Sequence, residues 1–103
     1  MAPVLFEDRT RYLKEIQLGE QVHIELQLAG ANRDGSQWFL RHIFRRVATV
    51  CAVHEAKGAW FSVATRRVVA PPPALLKAYS NIARTDDYAE LSSGESILEE
   101  VVA

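Results

Sequence analysis

Residues 21–28 read QVHIELQL, and this stretch decides the fold class. Its apolar residues occupy every second position, with polar residues between them. Because successive side chains of a strand point to opposite faces of a sheet, the alternation predicts a half-buried β-strand. The apolar face of that strand would carry Val22, Ile24, Leu26 and Leu28.

The same period continues on both sides of this stretch. Asp34-Gly35 suits a tight reversal, because glycine accepts a positive φ without steric cost, and a hairpin is expected there. Residues 37–46 form the next predicted strand. Residues 4–13 read as a preceding strand that ends before a turn at residues 18–20. One face of the strand at residues 37–46 would carry Trp38, Leu40, His42 and Phe44, and the other Phe39, Arg41, Ile43 and Arg45.

Residues 47–55 and 59–69 predict either one long, bulged strand or two short ones separated at Gly58. Three prolines at residues 71–73 then end the strand pattern, and residues 74–83 favour a helix. The fold class predicted is α+β: an antiparallel sheet with a C-terminal helix, forming one domain over residues 1–83. Residues 84–103 are expected to be an acidic tail with a short helix near its end.

Composition excludes several functional classes. A chain of 103 residues holds one modest core, and its net charge of −1 argues against a nucleic-acid or anionic-membrane binder. The single cysteine, Cys51, fits a reducing compartment, and neither a membrane span nor a secretory signal is visible. We therefore expect a cytoplasmic protein without nucleic-acid or membrane partners. An aromatic and arginine surface for nucleic acid is the least favoured alternative, because the alternation assigns most aromatics to a buried face.

Two stretches resemble a known family. Residues 10–20, TRYLKEIQLGE, are similar to the strand-to-turn junction of the bacterial hotdog-fold acyl-CoA thioesterases related to 4-hydroxybenzoyl-CoA thioesterase. Residues 58–72, GAWFSVATRRVVAPP, are similar to the final strand of that family and its exit. The resemblance covers roughly residues 3–80 and implies a hotdog-like sheet, hydrolysis of acyl-CoA thioesters, and a homodimer or higher homo-oligomer. Coenzyme A would be part of the substrate, and no separate cofactor is implied.

The resemblance begins at what looks like the second strand of the family. The motif Asp-x-x-Gly-His-x-Asn-Asn, which supplies the usual catalytic acid of the family, does not occur in the sequence, nor does the long helix that follows it. An incomplete hotdog-like fold is therefore expected, with the catalytic residues unknown. The alternative function is a non-catalytic acyl- or CoA-binding module, or an oligomerisation module.

Glu7 and Asp8 are the candidates for a replacement acid. Neighbours on a strand point to opposite faces, so the two carboxylates are not expected to share one reacting atom, and solvated surface charge is the favoured interpretation. The resemblance also implies that basic side chains near strand ends hold the phosphates of coenzyme A. The candidates for this role are Arg41, Arg45, Arg66 and Arg67, with ordinary surface charge as the alternative.

Three side chains invite a metal hypothesis. Cys51 and His54 are three residues apart and should point to opposite faces of a strand. A reversal near Ala48 would instead bring His42 opposite His54. Two histidines without a third ligand make a poor metal site, so no metal is expected.

Overall fold

The computed structural model describes residues 1–91, which form six strands and one helix. In chain order the elements are β1 (Ala2–Tyr12), β2 (His23–Ala31), β3 (Gln37–Arg46), β4 (Thr49–Ser62), β5 (Arg67–Val68), α1 (Pro73–Ser80) and β6 (Arg84–Glu90). The predicted strands over residues 4–13, 21–28 and 37–46 and the predicted helix are present, although α1 ends three residues earlier than expected. The strand predicted over residues 59–69 is not continuous, because β4 ends at Ser62 and a turn at residues 63–66 leads back into the two-residue β5. No helix within residues 1–91 is long and apolar enough to cross a bilayer.

All strands belong to one sheet of order β1-β4-β3-β2-β6, with β5 paired to the end of β4. The fold class is α+β as predicted, but the sheet is mixed rather than antiparallel, because β6 runs parallel to β2. A parallel partner needs a crossover connection, and α1 lies within it.

Residues 84–90, expected to belong to an acidic tail, instead form a strand of the sheet. The charge-rich composition concealed a strand that is exposed along most of its length. The helix expected near the end of the tail lies outside the described residues.

β4 is a single strand that runs through Gly58 without interruption. A Cβ atom at Gly58 would collide with the ring of Trp38 and the backbone oxygen of Val4. Glycine therefore serves a close approach of neighbouring strands here, rather than a break between two strands.

β3 and β4 form the central hairpin. Its turn holds Val47 at a φ of 55°, in the left-handed region that β-branched residues rarely adopt. The register pairs His42 with His54 and Arg41 with Glu55. The predicted division of β3 into two faces is therefore confirmed.

The two faces of the sheet differ in chemistry. One face, here termed the histidine face, carries Asp8, Thr10, Leu26, His42, Phe44, Ala52 and His54. The other, here termed the charged face, carries Glu7, Arg9, Glu25, Arg41, Arg45 and Glu55.

Helix α1 is attached to one end of the histidine face. The hydroxyl of Tyr79 accepts a hydrogen bond from Nε1 of Trp60 at 2.6 Å and donates one to the carbonyl oxygen of Gly35 at 3.0 Å. No residue of α1 is fully buried, and through these two hydrogen bonds Tyr79 links the helix to β4 and to the turn between β2 and β3.

Substitution Tyr79→Phe should lower the free energy of unfolding by about 1–2 kcal/mol, because it removes both hydrogen bonds and leaves the Trp60 indole nitrogen without its acceptor. Urea denaturation followed by circular dichroism measures the change.

Tyr12→Phe is the matched control, since Tyr12 is 84% exposed and its hydroxyl makes no hydrogen bond within residues 1–91. Equal stability of the two variants would contradict the assigned role of Tyr79.

Candidate functional site

The charged face is an ion-pair network that joins four strands. Glu55 lies between Arg9 and Arg41, with both guanidinium groups at 2.9 Å. Arg41 also reaches across β2 to Asp87 on β6 at 3.2 Å. Arg9 and then Arg41 lower the pKa of Glu55, and Arg41 lowers the pKa of Asp87 to about 2. The carboxylates of Glu55 and Asp87 are therefore ionised at neutral pH, and every charged group of this network is paired with one of opposite charge.

This network bears on the four arginines proposed to hold phosphates. Arg41 is engaged by two carboxylates, and Arg45 contacts Glu25 at 3.3 Å, both on the charged face. Arg66 lies over the ring of Phe61, and Arg67 is in β5. Neither Arg66 nor Arg67 makes an ion pair within the described part of the chain.

The histidine face contains a different arrangement. A bulge in β1 between Leu5 and Glu7 is followed by regular pairing with β4, which directs Asp8 and Glu7 to opposite faces. Glu7 approaches Lys57 at 3.5 Å on the charged face. Asp8 approaches His54, with 3.1 Å between Oδ2 and Nε2. The two candidate carboxylates therefore point to opposite faces of the sheet, as their adjacency predicted.

The His54 imidazole is held from two sides. Asp8 accepts the hydrogen bond of Nε2, and the ring of His42 lies 5.5 Å away, centroid to centroid. Because a carboxylate only accepts hydrogen bonds, neutral His54 must carry its proton on Nε2. Nδ1 is then the basic nitrogen, and it has no hydrogen-bond partner within residues 1–91.

His42 is the more buried member of the pair. Burial first, and the neighbouring His54 second, lower the pKa of His42. Its Nδ1 is buried without a hydrogen-bond partner in the described residues. His42 is therefore neutral at pH 7.

An open cavity of about 790 Å³ lies against this part of the sheet. His54 forms part of its wall, and the segment that follows β1 forms its rim. Its lining is mainly apolar, with one lysine and one glutamate among the rim residues. The lining residues are Thr10, Tyr12, Leu13, Lys14, Glu15, Ile16, Phe44, Ala52 and His54.

The cavity stands on the histidine face, opposite to Arg41 and Arg45. A phosphate contact by either arginine would have to form on the other side of the sheet. Arg66 and Arg67 follow the far end of β4, beyond Ser62. At roughly 3.3 Å per residue of strand, they lie on the order of 30 Å from His54 of the same protomer.

The His42–His54 pair is predictable from the sequence, whereas the contact of His54 with Asp8 and the cavity beside it are not. Asp8 precedes His54 by 46 residues and meets it only because β1 pairs with β4. The alternation of β1 indicated which face each side chain occupies, but no local signal identified its neighbour in the sheet. Within residues 1–91, no three His, Cys, Asp or Glu side chains are placed to hold a metal ion together.

The lowered pKa of His42 predicts a loss of stability in acid. The unfolded chain binds a proton near the ordinary value of 6.5, whereas the folded chain resists protonation of this side chain until a lower pH. The free energy of unfolding should therefore fall as the pH drops below 6.5, and His42→Gln should make this slope shallower. Urea titrations between pH 7 and pH 5 measure it.

His23→Gln is the control for the loss of a histidine, because His23 lies on the charged face at the exposed start of β2. An unchanged slope in His42→Gln would refute the assignment.

Comparison with known proteins places this geometry in a family. No curated protein matches the chain. Among solved structures, a protein of Pseudomonas aeruginosa strain PAO1 is similar with a TM-score of 0.70 at 14% identity, over 82% of this chain and 59% of that one. A gentisyl-coenzyme A thioesterase is similar with a TM-score of 0.63 at 19% identity, over 78% of this chain and 60% of that one.

A thioesterase from Thermus thermophilus, solved with coenzyme A and zinc, has a TM-score of 0.64 at 20% identity, over 77% of this chain and 56% of that one. The chain thus spans less than two thirds of the length of each of these three structures. Their likeness supports the α+β hotdog-like fold that the sequence predicted. The family model for the thioesterase-like superfamily matches residues 1–79, and the chain belongs to that superfamily.

Proposed function

We propose that this chain hydrolyses acyl thioesters of coenzyme A, with the acyl group bound in the cavity on the histidine face. The observation that carries the proposal is the coincidence, in a member of the thioesterase-like superfamily, of a largely apolar cavity with an imidazole in its wall. An acyl chain needs apolar surroundings, and its hydrolysis needs a proton acceptor within reach of water.

Size and polarity of the cavity support a thioester ligand. A volume of about 790 Å³ falls in the range of small-molecule sites. Phe44, Ala52 and Ile16 supply apolar lining for an acyl group. Lys14 at the rim supplies a positive charge for the anionic part of the ligand.

Coenzyme A is proposed as the thiol part of the substrate. This choice is supported by two similar structures, one a gentisyl-coenzyme A thioesterase and the other a thioesterase solved with coenzyme A. Arg66 and Arg67 remain proposed phosphate contacts, and their distance from His54 means that they would serve the cavity of a second protomer. A second copy of the chain is accordingly part of the proposal. Within residues 1–91, β1 is an edge strand of the sheet. Its 11 residues are available for edge-to-edge pairing with β1 of a second copy.

The chain should release free thiol from a panel of short, medium, long and aromatic acyl-CoA thioesters, well above the rate without protein. A thiol-reactive dye measures the release. Tight binding of acyl-CoA without turnover would support the non-catalytic binding module instead.

The substitution Ala52→Leu tests whether the acyl group binds in the cavity on the histidine face. Ala52 lines the cavity and is almost fully buried, so a larger side chain there should lower kcat/KM most for the longest acyl chains. Ala48→Leu, at an exposed position of the β3–β4 turn, is the matched control. Equal effects of both variants, or an effect that ignores chain length, would exclude this cavity as the acyl site.

A homodimer is expected in sedimentation equilibrium at micromolar concentration. A compact monomer under those conditions would contradict the edge-to-edge pairing, and with it the proposed role of Arg66 and Arg67.

A further inference from the structure

We propose that His54 is the general base of this thioesterase and that Asp8 positions it, an inference that rests on the proposed function. Hydrolysis of a thioester bound in the cavity on the histidine face needs a proton acceptor that faces this cavity. His54 is the histidine in its wall.

The hydrogen bond between Asp8 and His54 determines which nitrogen acts. It fixes the proton of the neutral ring on Nε2 and leaves Nδ1 to accept another. It also stabilises the imidazolium that forms when Nδ1 takes a proton. A carboxylate that orients a histidine in this way is a recurring means of making imidazole an effective base.

Burial supports the division of roles between the two side chains. The His54 side chain is 26% exposed, so water can reach it from the open cavity, and the Asp8 side chain is 53% exposed. His42 packs beside His54 and is neutral, and it therefore adds no competing positive charge. Asp8 touches the imidazole and does not line the cavity, which makes it a positioning residue.

The reaction balances with water as the only co-reactant. Nδ1 of His54 removes a proton from water, and the water oxygen forms a bond to the thioester carbonyl carbon. The tetrahedral intermediate collapses, the carbon–sulfur bond breaks with its electron pair on sulfur, and the imidazolium returns the proton to give the free thiol. Because a simple thiol has a pKa of about 8.5, its thiolate is a good leaving group, and activation of water is the main demand on the protein.

The experiment compares wild type with His54→Gln, Asp8→Asn and the control His23→Gln on the best acyl-CoA of the panel. His54→Gln should lower kcat/KM about a hundredfold or more, in keeping with the loss of a general base. Asp8→Asn should lower kcat on the order of tenfold or more and leave KM nearly unchanged, because the imidazole is then no longer held with Nδ1 free to accept a proton. His23→Gln should match wild type.

Two further measurements separate chemistry from a structural role. Added imidazole should restore part of the activity of His54→Ala, which a merely unstable variant would not show. Long-range ¹H–¹⁵N NMR spectra of wild type, recorded with the His54 imidazole in its neutral form, should show the ring proton on Nε2. This result does not depend on whether the chain turns over substrate.

The outcomes are distinct. If wild type is active and His54→Gln retains at least half of that activity, His54 is not the general base, and the proposed function is unaffected. A wild type without turnover would overturn both. A proton on Nδ1 of His54 would overturn the positioning role of Asp8.

Discussion

The pairing register of β3 with β4 is the constraint on which both faces of the sheet depend. Side chains alternate along a strand, so a slip by one residue would exchange the two faces of β4 relative to β3. The observed register places His42 opposite His54 and Phe44 opposite Ala52 on one face. On the other face it places Arg41 opposite Glu55. The cavity and the ion-pair network therefore rest on the same ten pairs of residues.

The turn that sets this register is strained, since Val47 adopts a positive φ. Pairings on both sides of the sheet hold it in place. Arg41 ties β3 to β4 through Glu55 and to β6 through Asp87. On the opposite face, Asp8 ties β1 to β4 through His54. The interaction that orients the proposed base thus also stabilises the pairing that creates its surroundings.

Much of the fold could be predicted because it is encoded locally. The alternation in residues 21–28 and 37–46, together with the turn residues between them, indicated the β2–β3 hairpin and its two faces. β6 could not be predicted in the same way. Its acidic and exposed residues lack an apolar face, and it joins the sheet through backbone pairing with β2 and through the Asp87–Arg41 ion pair. Contacts with residues distant in the sequence, and not a local pattern, therefore determine that residues 84–90 form a strand.

The site was only partly accessible to sequence reasoning for a related reason. His42 and His54 lie in adjacent strands of one hairpin, and a tight turn relates their positions directly. Asp8 and the cavity rim come from a strand far away in sequence, and the choice of β4 as its neighbour is a property of the whole sheet. Asp8 is a candidate acid on the sequence alone, but its contact with His54 follows only from the pairing of β1 with β4.

The attachment of α1 has a practical consequence for optical measurements. The chain has two tryptophans, and Trp60 is bonded to Tyr79 of α1 while Trp38 packs against Gly58 beside it. Both indoles therefore stand at the helix end of the histidine face, and neither lines the cavity. Intrinsic fluorescence will report whether α1 is seated on the sheet. A ligand that fills the cavity without moving the helix will leave that emission nearly unchanged, so its affinity has to be read from a labelled ligand or from heat.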